Sequence, residues 1–225
     1  MSRVFLILAL FAIAMLIANI VLGLCTGDYN QVAQEYVAVS RELKELEHSS
    51  DGTDQQIREK QTQRFKLGEA LETPKQRTVF HILFGIAAAL VTLLVNSIAV
   101  TYFIGTNRWC KEVVDTYGLD KELSQSADQI KRSTFPWAVI GMLVILAIIA
   151  LGGAALPFGA NAAGSASWVL PHYLGALAGV AIIGWSLLVQ VGKIGENYDV
   201  ITKIVAESQR IRVERGLDNG DGDGV

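Results

Sequence analysis

The 225 residues carry 19 Lys and Arg against 22 Asp and Glu, a net charge of −3, with 51% of residues hydrophobic and 18% charged. The charges are missing from four long windows, which excludes one evenly amphipathic globular core. No basic cluster is interleaved with aromatics, so the pattern offers nothing to nucleic acid.

The windows are residues 4–24, 79–104, 135–156 and 170–191. Each is near or above the roughly 20 apolar residues that carry a helix across ~30 Å of hydrocarbon. The expected fold is an all-α integral membrane protein with four transmembrane helices. An extramembrane antiparallel helical hairpin joins the first two, helical extensions lie on the cytoplasmic side, and the lipid bilayer is the first partner.

Residues 1–25 form the first span. Arg3 gives it a positive start, but its apolar run exceeds the h-region of a cleavable signal, and no small residue stands directly before Cys25. Retention as an anchor is expected. The absence of charge from "PFGANAAGSASWVLPHY", against Lys131 and Arg132 before the third window and Lys193 after the fourth, puts that connection outside and both termini in the cytoplasm. Lys75 and Arg77 dissent mildly. A plasma or inner membrane is the expected location.

Residues 26–73 are then an outer hairpin. In its first arm Tyr29, Val32, Tyr36, Val39, Leu43 and Leu46 recur at spacings of 3, 4, 3, 4 and 3, a heptad seam. Asp51 and Gly52 supply a turn, and Thr53 with Gln56 forms the pattern in which each side chain satisfies the other's orphan backbone N–H. A second arm is expected over 54–72, with Ile57, Phe65, Leu67 and Leu71 as a poorer apolar face. That poverty leaves part of Tyr29, Tyr36 and Val39 free for another chain. Thr73 and Pro74 are expected to restart helix into the second span, 74–104, with Pro74 at a first helical position where its missing N–H costs nothing.

On the inner side, 105–134 carries "NRWCKEVVDTYG", with Trp109, Val113 and Tyr117 on one face and Gly118 as a stop. The third span is 135–157, the short outer loop 158–169 and the fourth span 170–192. Residues 193–216 continue as helix with Ile194, Tyr198, Ile201 and Val205 on one face, and the two inner segments are expected to pack on each other. The acidic tail, 217–225, places Asn219, Asp221, Asp223 and Gly224 like the start of an EF-hand loop, but the sequence ends before a twelfth-position Glu. It is read as disordered.

Within the windows Gly175 and Gly179 form a G-x-x-x-G, a pattern that allows close helix association. No nucleophile stands beside a base, and no nucleotide motif occurs. Cys25 and Cys110 fall at opposite ends of the spans and are read as free thiols. These features point to a non-enzymatic membrane protein, a structural, accessory or assembly subunit. It would act without a cofactor, by protein–protein association as a homo-oligomer or with a membrane-protein partner, through Tyr29, Val32, Tyr36, Val39, Leu43, Leu46, Gly175 and Gly179.

His81 opens the second window and His172 the fourth, so both fall at the outer end of the spans. Two facing imidazoles suit the axial positions of a haem iron, and the alternative reading is a haem b electron-transfer protein using that pair. An oligomeric pore or transporter ranks third, because no window contains Asp, Glu, Lys or Arg.

Overall fold

A computed structural model describes residues 2–48, 53–158 and 164–217. Among the described residues five helices follow in chain order: α1 Ser2–Leu24, α2 Tyr29–His48, α3 Asp54–Tyr117, α4 Lys121–Ala154 and α5 Ala166–Glu214. There is no strand among the described residues. Four of the five, all but α2, are long and apolar enough to cross a membrane.

The helix ends follow local chemistry. Thr53 and Gln56 close the reciprocal cap expected of them, with N···O distances of 3.1 and 3.4 Å. Gly118 takes a φ of 67°, and the Leu119 N–H reaches back to the Val114 carbonyl at 2.9 Å, so α3 ends where expected. Gly216 ends α5 the same way, through Leu217 N–H to the Arg212 carbonyl.

The expected break at Thr73 and Pro74 is absent. The 64 residues of α3, about 96 Å at 1.5 Å per residue, pass straight through Pro74. Leu71 and Thr78 are both buried seven positions apart, so one face continues across the proline, and a single lost hydrogen bond does not stop the helix. Pro136 and Pro171 likewise lie inside α4 and α5, which begin at Lys121 and Ala166, ahead of the windows read from hydropathy.

Contacts divide the chain into two compact units. One contains Met1–Ile13, Val91–Val144 and Ile182–Val225. Its charged end is a small apolar core of Cys110, Val114, Leu119, Ala127 and Ile204, with Val113, Tyr117 and Ile201 packed against it. The two inner segments therefore do pack on each other. The buried stripe of α3 runs through Cys110 and Val114 rather than Trp109, and in α5 Asn197 is buried while Tyr198 is 54% exposed. Lys111, Lys131 and Arg132 converge on Asp128 at 3.5, 3.0 and 2.7 Å. With Lys131 first among them, they hold its carboxyl down to about 2.

The other unit contains Ala14–Leu90 and Ile145–Ala181. Here α2 lies against the first part of α3. Val39 and Leu43 are buried, Tyr29, Val32, Tyr36 and Leu46 are half-buried, and Glu42 pairs with Lys60. The seam is thus covered inside the chain, and Val39 is not left free for a partner as expected. Phe65, placed on the inner face by periodicity, instead points outward with 67% of its surface exposed. The turn at 49–52 and the acidic tail from 218 onward lie outside the described residues.

Candidate functional site: paired histidines

His81 sits on α3 and His172 on α5, and their ring centroids are 6.5 Å apart with the planes at 65°. The sequence places them 91 positions apart; the fold brings them together. Both rings are half-buried.

Each ring rests on a glycine of a neighbouring helix. A Cβ at Gly23 of α1 would lie 3.0 Å from Cε1 of His81, and one at Gly152 of α4 would lie 3.1 Å from Cε1 of His172. Only glycine lets the helix backbone approach the imidazole edge so closely. The Nδ1 of His81 stands 3.1 Å from the Asn19 carbonyl, to which it donates. That bond fixes the tautomer and leaves Nε2 as the free acceptor. The Ile148 backbone lies near the His172 ring, whose buried Nδ1 closes no hydrogen bond of good geometry.

Nearby polar atoms in this unit are left without partners. Asn19 Oδ1 and Thr78 Oγ1 are buried and unpaired, although Asn19 lies against Gly85, where a Cβ would come within 2.8 Å of its Nδ2. Unpaired buried polar atoms are costly and uncommon, and they gather where something else is meant to bind.

The donor set limits what the pair can hold. Among the described residues no group of three or more His, Cys, Asp and Glu is placed to bind a metal ion. Two imidazoles alone do not complete the four-ligand shell of a zinc-type site. A tetrapyrrole brings four equatorial nitrogens and asks the protein for two axial ones only. A metal–nitrogen bond of ~2 Å on each side, plus the roughly 1 Å from each ring nitrogen to its ring centre, puts two axial imidazole centres ~6 Å apart. The observed 6.5 Å agrees with that span.

The other residues singled out from the sequence are placed differently. Gly175 faces Leu151 of α4, with a Cβ position only 2.7 Å from Cδ1, and Gly179 is buried, so this glycine pair serves helix contact inside the chain. Tyr29 stacks edge-on against Phe158 at 6.1 Å. Cys25 is exposed, Cys110 is buried, and both are free.

Two features escaped sequence reasoning. Gly23 carried no visible signal, and Gly152 stood out only as a small residue that permits close helix contact, not as the seat of an imidazole. Asn30 donates to the Ala155 carbonyl at 2.8 Å and, with Gln34, to the buried Ser165 hydroxyl, tying the start of α2 to the connection between α4 and α5. In the other unit Gln190 donates to Asn96 at 3.0 Å and to Ser186 at 3.1 Å, the inter-helix role that polar residues inside apolar windows suggest from sequence. Comparison with protein-family models, curated proteins and solved structures finds no match for the chain.

Proposed function

We propose that the chain is an integral membrane protein that holds haem b between His81 and His172 and exchanges single electrons at the outer end of its spans. The observation that carries this reading is the convergence of the two imidazoles at 6.5 Å, one with its Nδ1 committed to a backbone carbonyl. When bound, the group supplies one-electron chemistry. The chain's part is to present two Nε2 atoms, to fix the tautomer of His81 through the Asn19 carbonyl, and to keep the rings from turning by seating them on glycine backbone.

The arrangement across the bilayer belongs to the same proposal. Both termini are cytoplasmic, and the hairpin and the α4–α5 connection are outside. Two contacts support a four-span path: Asn30 and Gln34 join the hairpin base to Ala155 and Ser165, and α3 packs with the last turns of α5 around Val114 and Ile204. Impermeant thiol labelling of Thr53→Cys and Ser208→Cys, each in a background lacking Cys25 and Cys110, tests it. Position 53 alone should react from outside, and reaction at 208 alone inverts the orientation.

For the haem itself, detergent-purified protein should show a Soret band that is lost in both His81→Ala and His172→Ala. A Soret band retained in both variants removes the pair from the site.

A second reading, association with a protein partner, is favoured by one observation. Phe65 is 67% exposed on the outer arm of the hairpin, beyond the apolar windows. An aromatic ring held in water outside the bilayer is typical of an interface anchor. Phe65→Ser should leave membrane insertion intact and reduce recovery of whatever copurifies under mild solubilisation; unchanged recovery removes this reading.

A further inference from the structure

The two histidines occupy corresponding places in two similar pieces of chain. Shifting α1 by 129 positions onto α4 superposes Phe5 on Thr134, Ala9 on Ala138, Ala12 on Gly141, Leu16 on Ile145 and Gly23 on Gly152. The first four of these are all the residues of α1 described as buried, and their counterparts are all the buried residues of α4 beyond Ala127. Shifting α3 by 91 positions onto α5 superposes His81 on His172. It also carries the buried Ala88, Thr92, Val95, Asn96, Ala99 and Phe103 onto the buried Gly179, Ile183, Ser186, Leu187, Gln190 and Ile194. The boundary between the two compact units falls at Leu90/Val91 in α3 and at Ala181/Ile182 in α5, under the same shift. Farther along, the register moves by one residue, so that "IGTN" ending at Asn107 lies over "IGEN" ending at Asn197.

Helical periodicity alone aligns any two buried faces in some register. Here the register is fixed independently, by the contacts at the histidine end. His81 rests on Gly23 and bonds the carbonyl four residues before that glycine; His172 rests on Gly152 and lies near the backbone four residues before it. Both shifts are needed to map one set of contacts onto the other, and both are the shifts that match the buried residues.

We infer that the chain is a tandem repeat of a two-helix unit, α1 with the span of α3 and α4 with the span of α5, and that each repeat builds one seat for one axial ligand. A seat consists of the histidine, a clearing glycine on the preceding helix, and the backbone one turn before that glycine. The hairpin arms, α2 and the first part of α3, are an insertion into the first repeat at the place where the second has only the 155–165 connection. Gly23 and Gly152 are accordingly positioning residues, one for each imidazole. The seats differ in one respect: the Asn19 carbonyl closes its bond and the Ile148 backbone does not, so His81 is the more firmly held ligand.

The inference rests on the haem reading for the purpose of the seats but not for their existence. Histidine ring 15N spectra of the purified full-length protein test the seats without haem, with His48 as the internal reference. His81 should appear as the Nδ1-protonated tautomer. Gly23→Val should shift the ring signals of His81 and leave those of His172, Gly152→Val should do the reverse, and Gly153→Val, which meets nothing within 4 Å, should shift neither. In haem-loaded protein the two seat variants should each convert the six-coordinate low-spin spectrum toward five-coordinate, and Gly153→Val should not. Ring signals that respond as described in a protein that binds no haem leave the repeat standing and sink the haem reading. A protein that binds haem but whose ring signals and spin state are indifferent to Gly23→Val and Gly152→Val overturns the seats.

Discussion

Two regions of the interior treat polar side chains differently. In the unit that contains Val91–Val144 and Ile182–Val225, Gln190 bridges Asn96 and Ser186, Ser186 donates to the Trp137 carbonyl at 2.7 Å, and Asn197 reaches Tyr102 and Thr106. These groups link helices to one another, and the unpaired buried atoms of this unit are Gln190 Oε1 and Asn107 Nδ2. In the other unit Asn19, Ser40, Thr78 and one of the paired imidazoles, His172, each keep an unpaired buried atom. Inter-helix hydrogen bonds at membrane depth are glue worth about 0.6 kcal/mol each on average. Unpaired atoms on Asn19 and His172, whose neighbours are the two imidazoles, are better explained as part of a site.

That contrast can be broken from its closed side first. A Cβ at Gly141 would lie 2.9 Å from Asn96 Oδ1, where Gln190 already donates. Gly141→Val should therefore force the amides apart and cost about 2–3 kcal/mol, read as a drop in resistance to thermal unfolding in detergent. Full stability in this variant would mean the network is slack. Gln190→Leu comes next, at about 1 kcal/mol, because Asn96 loses a donor while Ser186 keeps the Trp137 carbonyl.

The open side is predicted to behave differently. Thr78 Oγ1 has no partner to lose, so Thr78→Val should be neutral or stabilising by up to about 0.5 kcal/mol. Destabilisation as large as that of Gln190→Leu would place Thr78 with the glue.

The smallest effect lies outside both. Asp128 has its pKa lowered from 3.8 to about 2, so its contribution is present above pH ~4 and is lost as pH falls toward 2. Two of its partners are largely solvated, Arg132 at 79% and Lys111 at 52% exposed, while Lys131 is 29% exposed, so Asp128→Asn should flatten the acid limb of stability by only about 0.5 kcal/mol. A loss at pH 7 larger than at pH 2 by several times that amount would show the cluster to be buried in function.

Much of the fold is written in short-range chemistry that sequence displays openly. The four apolar windows, the Thr53–Gln56 cap, the Gly118 stop and the heptad seam depend on residues within a turn or two of each other. What depends on a partner helix was harder to see. Trp109, Val113 and Tyr117 form as regular a stripe as Cys110 and Val114, one residue away; packing against Ile204 and Ala127, far along the chain, centres the buried face on Cys110 and Val114, keeps Val113 and Tyr117 at its edge and leaves Trp109 out. The same holds for Tyr198 against Asn197, and for Phe65. Pro74 misled because its local chemistry permits a helix start, while burial on both sides of it at Leu71 and Thr78 favours continuity. The histidines could be named from their place at two window edges, but the glycines beneath them could not. A clearing glycine is recognised only by what approaches it.

Haemin titration of the purified full-length protein is the most direct test of the histidine site. Wild-type protein should take up one equivalent with a low-spin spectrum, and the combined His81→Ala, His172→Ala variant should take up none while retaining its helical content. Equal uptake by the two proteins, or no uptake by a well-folded wild type, would contradict the assignment of the paired imidazoles as a haem site.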